Sequence, residues 1–335
     1  MKFASGLAIL GLVGFASVAN AAEKLTVYSY RQAFLVEPIL ANFTKETGID
    51  VDVVFSKKGI AERMMREGRL SPADIVLTSD FSRLMELADK ELVIPVESDQ
   101  LKSNIPAKFR SIENDWFALT MRVRNIYSSK AKMGKLDIDY EDLADPKYKG
   151  QICTRSGKHP YNVSLVASMI AHHGEAGAKT WLEGFKANLA RKPQGNDRAQ
   201  VKAVKEGLCD IAIGNSYYLG KMLQDPKQVP WAEAVEINFP NQDNRGSHIN
   251  VSGMALAKYT KNRDNAIKLM EYLSGDVAQK DYAEINFEYP VKADVKPSDL
   301  VASWGEFKAD ELPIFKLAEY HHAAVKLLDE VKFDL

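Results

Sequence analysis

The chain has 335 residues, 46% of them hydrophobic and 27% charged, with 44 Lys and Arg facing 45 Asp and Glu. That length suits two domains of about 150 residues, each large enough to bury a core. Balanced charge without long single-sign runs argues against nucleic acid as a partner.

The N-terminus carries one basic residue, Lys2, then an apolar run over 7–18 and the triplet Ala19-Asn20-Ala21. This is the pattern of an export signal peptide over 1–21, with cleavage after Ala21. The residue after the cleavage point is Ala22 and not a cysteine, which argues against a lipid anchor. No later segment reaches the ~18 consecutive apolar residues of a spanning helix, so the mature chain is expected to be exported and not membrane-spanning.

Strand-like runs at 25–28, 51–55 and 74–78 alternate with helical patterns. Between the first two, Val36, Ile39, Leu40 and Phe43 fall on one helical face and Gly48 ends the run, which predicts a βαβ unit. Helices over 59–68 and 82–90 complete a first lobe. Asp80 precedes the latter and is read as its N-cap. A second lobe begins near 122–128 and takes in a strand at Cys153, helices over 164–173 and 178–189, and a strand at Cys209. A strand over 252–257 and a helix over 263–274 return to the first lobe. The expected division is 22–122 plus about 251–299, against about 123–250 plus about 300–335. Two crossings make a hinge, and the alternation predicts an α/β fold with mostly parallel sheets.

The two cysteines each sit in a strand-like segment of an exported chain. Cys153 and Cys209 are expected to pair across neighbouring strands, the alternative being two buried free thiols. A bond there is worth roughly 4 kcal/mol in the chain-entropy account.

The run 209–213 predicts a short buried strand, Gly214-Asn215 a turn, and Ser216 the N-cap of a helix over 217–222. Tyr217 and Tyr218 then stand at the positive end of a helix. A phenol ionises near pH 10, but a trivalent cation together with backbone N–H dipoles favours the phenolate, and oxygen anions suit ferric iron. The plainer alternative has one ring in the core and the other in a local hydrogen bond. Of the six histidines, His159, His172-His173 and His321-His322 show no ligand constellation and suit loops or helix ends. The ten methionines fall at helical spacings and suit core packing.

Several of these motifs together resemble the periplasmic ferric-ion-binding proteins of bacterial ABC importers. The segments are 25–32, 73–78, 116–124, 154–157 with Tyr161-Asn162, 195–198 and 215–218, and the likeness covers essentially the whole mature chain. It implies two α/β lobes in a type II-like periplasmic binding fold, a two-strand hinge and one ferric ion in the cleft. By the same resemblance Tyr217 and Tyr218 match the paired phenolate ligands, and Tyr161 the third tyrosine of the tyrosine-rich branch. Where some branches place a His and sometimes an adjacent Tyr after the first strand, this chain has Gln32 and Ala33. That departure points to a carbonate-like or bicarbonate anion at the metal, held by Arg31, Gln32 and Arg124, with Tyr30 as a further cleft-lining residue. Three phenolates neutralise one ferric ion, and a planar guanidinium suits a planar oxyanion. The implied role is capture of iron in the periplasm by a monomer, and delivery to the importer's permease.

A protein of the same fold for another solute, such as an oxyanion, a polyamine or a sugar, is the alternative. It has no need of three phenols, whereas sugars want stacked Trp and amines a carboxylate cluster. The chain lacks a G-x-S-x-G elbow, an H-E-x-x-H pair and a Gly-rich phosphate loop, so an enzyme is not expected.

Overall fold

The computed structural model describes residues 24–335. The signal peptide expected over 1–21 lies outside the described residues. Strand β1 (Lys24–Ser29), helix α1 (Ala33–Thr47) and β2 (Asp50–Phe55) form the expected βαβ unit, with β1 parallel to β2 and Gly48 in the left-handed conformation that ends α1. After α2 (Ile60–Glu67) come β3 (Ile75–Thr78), α3 (Phe81–Asp89), β4 (Val93–Ile94) and α4 (Asp99–Asn104). Asp80 caps α3 by accepting the Ser82 N–H at 2.9 Å, as expected.

Two long strands organise the rest. Strand β5 (Phe117–Ser129) pairs over 117–123 with β9 (Ile249–Ala257), and over 124–129 with two strands of a second sheet. Between them run β6 (Ile152–Cys153), α5 (Pro160–Ala187), α6 (Asp197–Lys205), β7 (Ile211–Asn215), α7 (Tyr217–Leu223), α8 (Val229–Ala232) and β8 (Val235–Asn238). Helices α9 (Arg263–Ser274) and α10 (Asp276–Asn286), strand β10 (Tyr289–Pro290), α11 (Asp299–Ala302) and α12 (Ile314–Glu330) complete the described chain. The strand order is β2-β1-β3-β9-β5-β7-β6, with β4 on β9 and both β8 and β10 on β5.

Parallel pairing was expected to dominate, but only β1/β2, β1/β3 and β6/β7 are parallel among the described strands. The cause is the two crossing strands: β5 and β9 run in opposite senses, so each strand laid on them is antiparallel. The helices expected over 164–173 and 178–189 are two rods broken at Gly174, whose positive φ of 68° a side chain would strain. The first rod begins at Pro160, earlier than expected, and this puts Tyr161 in its opening turn. Cys153 and Cys209 are bonded, with Cα atoms 5.9 Å apart. Among the described residues no helix is long and apolar enough to cross a membrane.

Candidate functional site

A cleft where the two sheets meet is lined by Tyr30, Arg31, Gln32, Ser79, Arg122, Tyr161, Tyr217, Tyr218, Lys221, Asn286 and Glu288. Its cavity of about 160 Å³ has room for a metal ion and one or two small ligands, since one water needs about 10–15 Å³ by the same measure.

The three tyrosines come from two helix starts. Tyr217 and Tyr218 open α7 directly after β7, and their rings lie tilted by 33° with centroids 4.2 Å apart. Tyr161 opens α5, and its Oη lies 3.3 Å from that of Tyr217. All three residues lie in first helical turns, where the positive end of the helix dipole favours negative charge nearby. Burial, then the neighbouring tyrosines, push the Tyr217 hydroxyl well above the usual phenol range against the pull of Arg122; burial and Tyr161 likewise raise Tyr218. Without a cation both phenols hold their protons. A cation binding there must displace them, which couples its affinity to pH.

Local structure explains why each ring sits where it does. Ser216 was expected to cap α7, but it has helical φ and ψ and makes no capping bond. Its Oγ instead accepts the Val123 N–H at 3.2 Å, and its own N–H donates to Val123 O at 3.0 Å, pinning the turn to β5. His159 sits at the start of α5, where its Nδ1 accepts the Tyr161 N–H at 3.3 Å and its ring packs edge-on to Tyr161. Burial, then Arg155, push its pKa down to about 3, so the ring is the neutral acceptor that this bond requires.

The facing wall is cationic. Arg31 is buried and donates from Nη2 to Glu288 at 2.8 Å, while its Nε and Nη1 have no partner. Burial opposes its charge but Glu288 outweighs that, so the guanidinium stays protonated. Thr120 also donates to Glu288, at 2.6 Å. Gln32 is exposed at the rim at the N-cap position of α1 without making a capping bond. Tyr30 lines the same wall, but its Oη accepts the Ala61 N–H at 3.3 Å and its ring lies under Arg83.

Arg124, expected at the anion, is placed elsewhere. Its Nη1 donates to Asp197 at 2.6 Å and to Asn215 at 3.0 Å, and its Nη2 to Asn162 at 2.7 Å. It braces the floor beneath Tyr161 and is not part of the cleft lining. Burial would raise the Asp197 carboxyl, but Arg124 and Arg155 hold it below the usual range. Arg122, two residues earlier on β5, takes the cleft position. It donates to Ser79 O and to Asn250 at 3.3 Å, lies 3.9 Å from Asp80, and keeps Nε and Nη1 unpartnered.

Sequence reading did not single out Arg122, Lys221, Glu288 or the buried His248. The Arg-x-Arg repeat at 122–124 was the available signal for the first, since alternate residues of one strand share a face. Among the described residues no group of three or more His, Cys, Asp or Glu is placed to hold a metal. His172 and His173 bond Asp310 and Glu141, and His321 and His322 line a separate groove.

Residues 71–306 match the family described as bacterial extracellular solute-binding protein. The chain is 42% identical over 312 residues to iron uptake protein A1 of a Synechocystis species, covering 92% of this chain and 87% of that protein. It superposes on ferric iron-binding protein A of Mannheimia haemolytica, solved in an open conformation, with a TM-score of 0.90 and 55% identity, over 94% of this chain and all of that one. A Trichodesmium protein solved with iron and citrate ligands gives a TM-score of 0.88 and 39% identity, over 92% and 99% of the two chains. These likenesses place the described residues in the two-lobed fold of periplasmic binding proteins.

Proposed function

We propose that this chain, which belongs to the bacterial extracellular solute-binding protein family, captures ferric iron in the periplasm and hands it to the permease of an ABC importer. One observation carries the reading: the Tyr161 and Tyr217 oxygens meet at 3.3 Å beside Tyr218, opposite two buried arginines with unpaired N–H groups. Three phenolates match the ion in charge and in hardness. In this reading Tyr161, Tyr217 and Tyr218 are the protein's ligands, and a small oxyanion of the carbonate or bicarbonate class completes the coordination. The free Nε and Nη1 donors of Arg31 and Arg122 hold that anion, with Gln32 at the rim. An oxyanion binder that takes no metal leaves three converging phenols unexplained, and nothing in the cleft calls for catalysis.

The protein acts as a monomer, exported by the segment 1–21. Its lobes are 22–122 with about 251–299, and about 123–250 with about 300–335. The pairing of β5 and β9 supplies the hinge about which they close. The transport role is that of a carrier, with release following loss of the anion, protonation of the phenolates or reduction of the metal.

Loading the purified mature protein with ferric salt and bicarbonate tests this. Ferric phenolates absorb visible light through ligand-to-metal charge transfer, so the loaded protein should be reddish and bleach with a strong chelator. Ferric binding without a visible band would exclude tyrosine ligation.

A further inference from the structure

We propose that the C-terminal tail is a clamp that positions Tyr161, with Asp334 as the positioning residue. The inference rests on the reading of Tyr161 as an iron ligand.

Tyr161 stands in the first turn of α5, so its place is set by the loop over 154–159 that feeds the helix. The loop is held from two sides. On the inner side Asn162 donates from Nδ2 to Thr154 Oγ1, Arg155 O and Ser156 O, each at 3.1 Å. On the outer side Asp334 accepts from the Ser156 hydroxyl through one carboxylate oxygen, and from the Gly157 N–H at 2.7 Å through the other. Asp334 stands 178 residues beyond Ser156, so no local turn supplies this contact.

The tail reaches that position because it is seated along the rest of α5. Phe333 is 2% exposed and packs on Phe185 with centroids 5.2 Å apart. Lys186 donates to the carbonyls of Val331 at 3.0 Å and Lys332 at 2.6 Å. Gly157 permits the close approach: a Cβ there would stand 2.6 Å from Phe333 Cδ1 and 2.7 Å from Leu328 Cδ2. The far end of α5 thereby anchors the tail, and the tail holds the loop at the end that carries Tyr161. A clamp of this kind keeps the Tyr161 oxygen at its 3.3 Å spacing from Tyr217, where both can meet one ion.

The test uses the mature full-length protein, ferric iron with bicarbonate, chelator competition, visible spectra and melts of the iron-free form. Asp334→Ala should lower ferric affinity, by less than the ~10–100-fold typical of removing a group bonded directly to a metal ligand, because Asp334 reaches Tyr161 only through the loop. Its band should move in the direction that Tyr161→Phe moves it. Asp334→Asn should recover part of the loss, because its Oδ1 still accepts from Gly157; Ser156→Ala, which deletes one bond and no charge, should fall in between. In a Tyr161→Phe background Asp334→Ala should cost no further affinity. The clamp is overturned if Asp334→Ala and Ser156→Ala bind iron with the parent's affinity and spectrum, or if Asp334→Ala costs the same factor whether or not Tyr161 is present. A parent protein that binds iron without a visible band would overturn the ligand reading and the clamp with it.

Discussion

The two walls of the cleft are built on opposite electrostatic plans. The wall from α5 and α7 presents three phenols at helix starts, backed by a floor in which the terminal nitrogens of Arg124 and one of Arg155 are paired, Asp197 accepting from both residues, while each Nε has no partner. The wall from the end of β1 and from β5 presents Arg31 and Arg122, each partly compensated by a buried carboxylate and each with donors left over. The difference lies in the terminal nitrogens: Arg124 pairs both of its own, whereas Arg31 and Arg122 each leave Nη1 without a partner. On the function proposed above, a cation would take its anionic donors from one side and an accompanying anion its cationic donors from the other, so both walls would be engaged only with both ligands present.

The largest expected effect breaks the phenol wall. Tyr217→Phe and Tyr218→Phe keep the ring but remove the oxygen, so ferric affinity should fall by more than about a hundredfold while the melt of the iron-free form stays near the parent's. Chelator titration beside thermal melts measures both. Parent-like binding by both variants would mean that the pair is structural.

The neighbouring arginines on β5 sharpen the comparison. Arg124→Ala strands Asp197 in the core, and a broken buried pair costs about 3–5 kcal/mol, the lower end being expected here because Arg155 still reaches the other Asp197 oxygen at 3.0 Å. Denaturant unfolding should record that loss. Arg122→Ala should be less destabilising, yet it should abolish the gain in iron affinity that bicarbonate gives the parent. If the two variants exchange these phenotypes, the assignment of cleft and floor is reversed.

The disulfide lies on the phenol side alone. Replacing Cys153 and Cys209 by Ser opens a loop of 56 residues and should cost about 2–4 kcal/mol, with the visible band of the loaded protein retained. A spectrum that changes with the bond would show that the staple shapes the metal site.

The effect that is smallest near neutral pH is graded by pH, growing as pH falls below about 6.5. Burial, foremost, pushes His248 down to about 3, and its Nε2 is 2.9 Å from Ser164 Oγ. Between about 6.5 and 3 the unfolded chain binds a proton that the folded chain refuses, so this contribution is complete above about 6.5. It is lost as pH falls, at about 1.4 kcal/mol per pH unit. His159 adds a second such proton on the same wall. His248→Gln should flatten the acid limb of the stability curve of the iron-free protein by one proton. An unchanged slope would mean that His248 titrates normally in the folded state.

What the sequence determined by itself is local. The βαβ start, the Gly48 stop, the Asp80 cap and a helix opening at Tyr217-Tyr218 after a buried strand follow from local signals within about ten residues, although the expected turn at Gly214-Asn215 lies within β7. Those signals are strong because the backbone must satisfy its own hydrogen bonds at each helix end whatever the tertiary fold. The tertiary structure decided which of two arginines on one face of β5 meets the cleft, because that strand leaves one sheet for the other between Arg122 and Arg124. It also decided that Glu288 compensates Arg31 from 257 residues away, that Ser216 pins its turn to Val123, and that Asp334 reaches Ser156 and Gly157. Long-range pairings of this kind leave no periodic trace along the chain. They exist because burial in the assembled fold makes an unpaired charge or N–H costly, and the partner is whichever group the topology brings within reach.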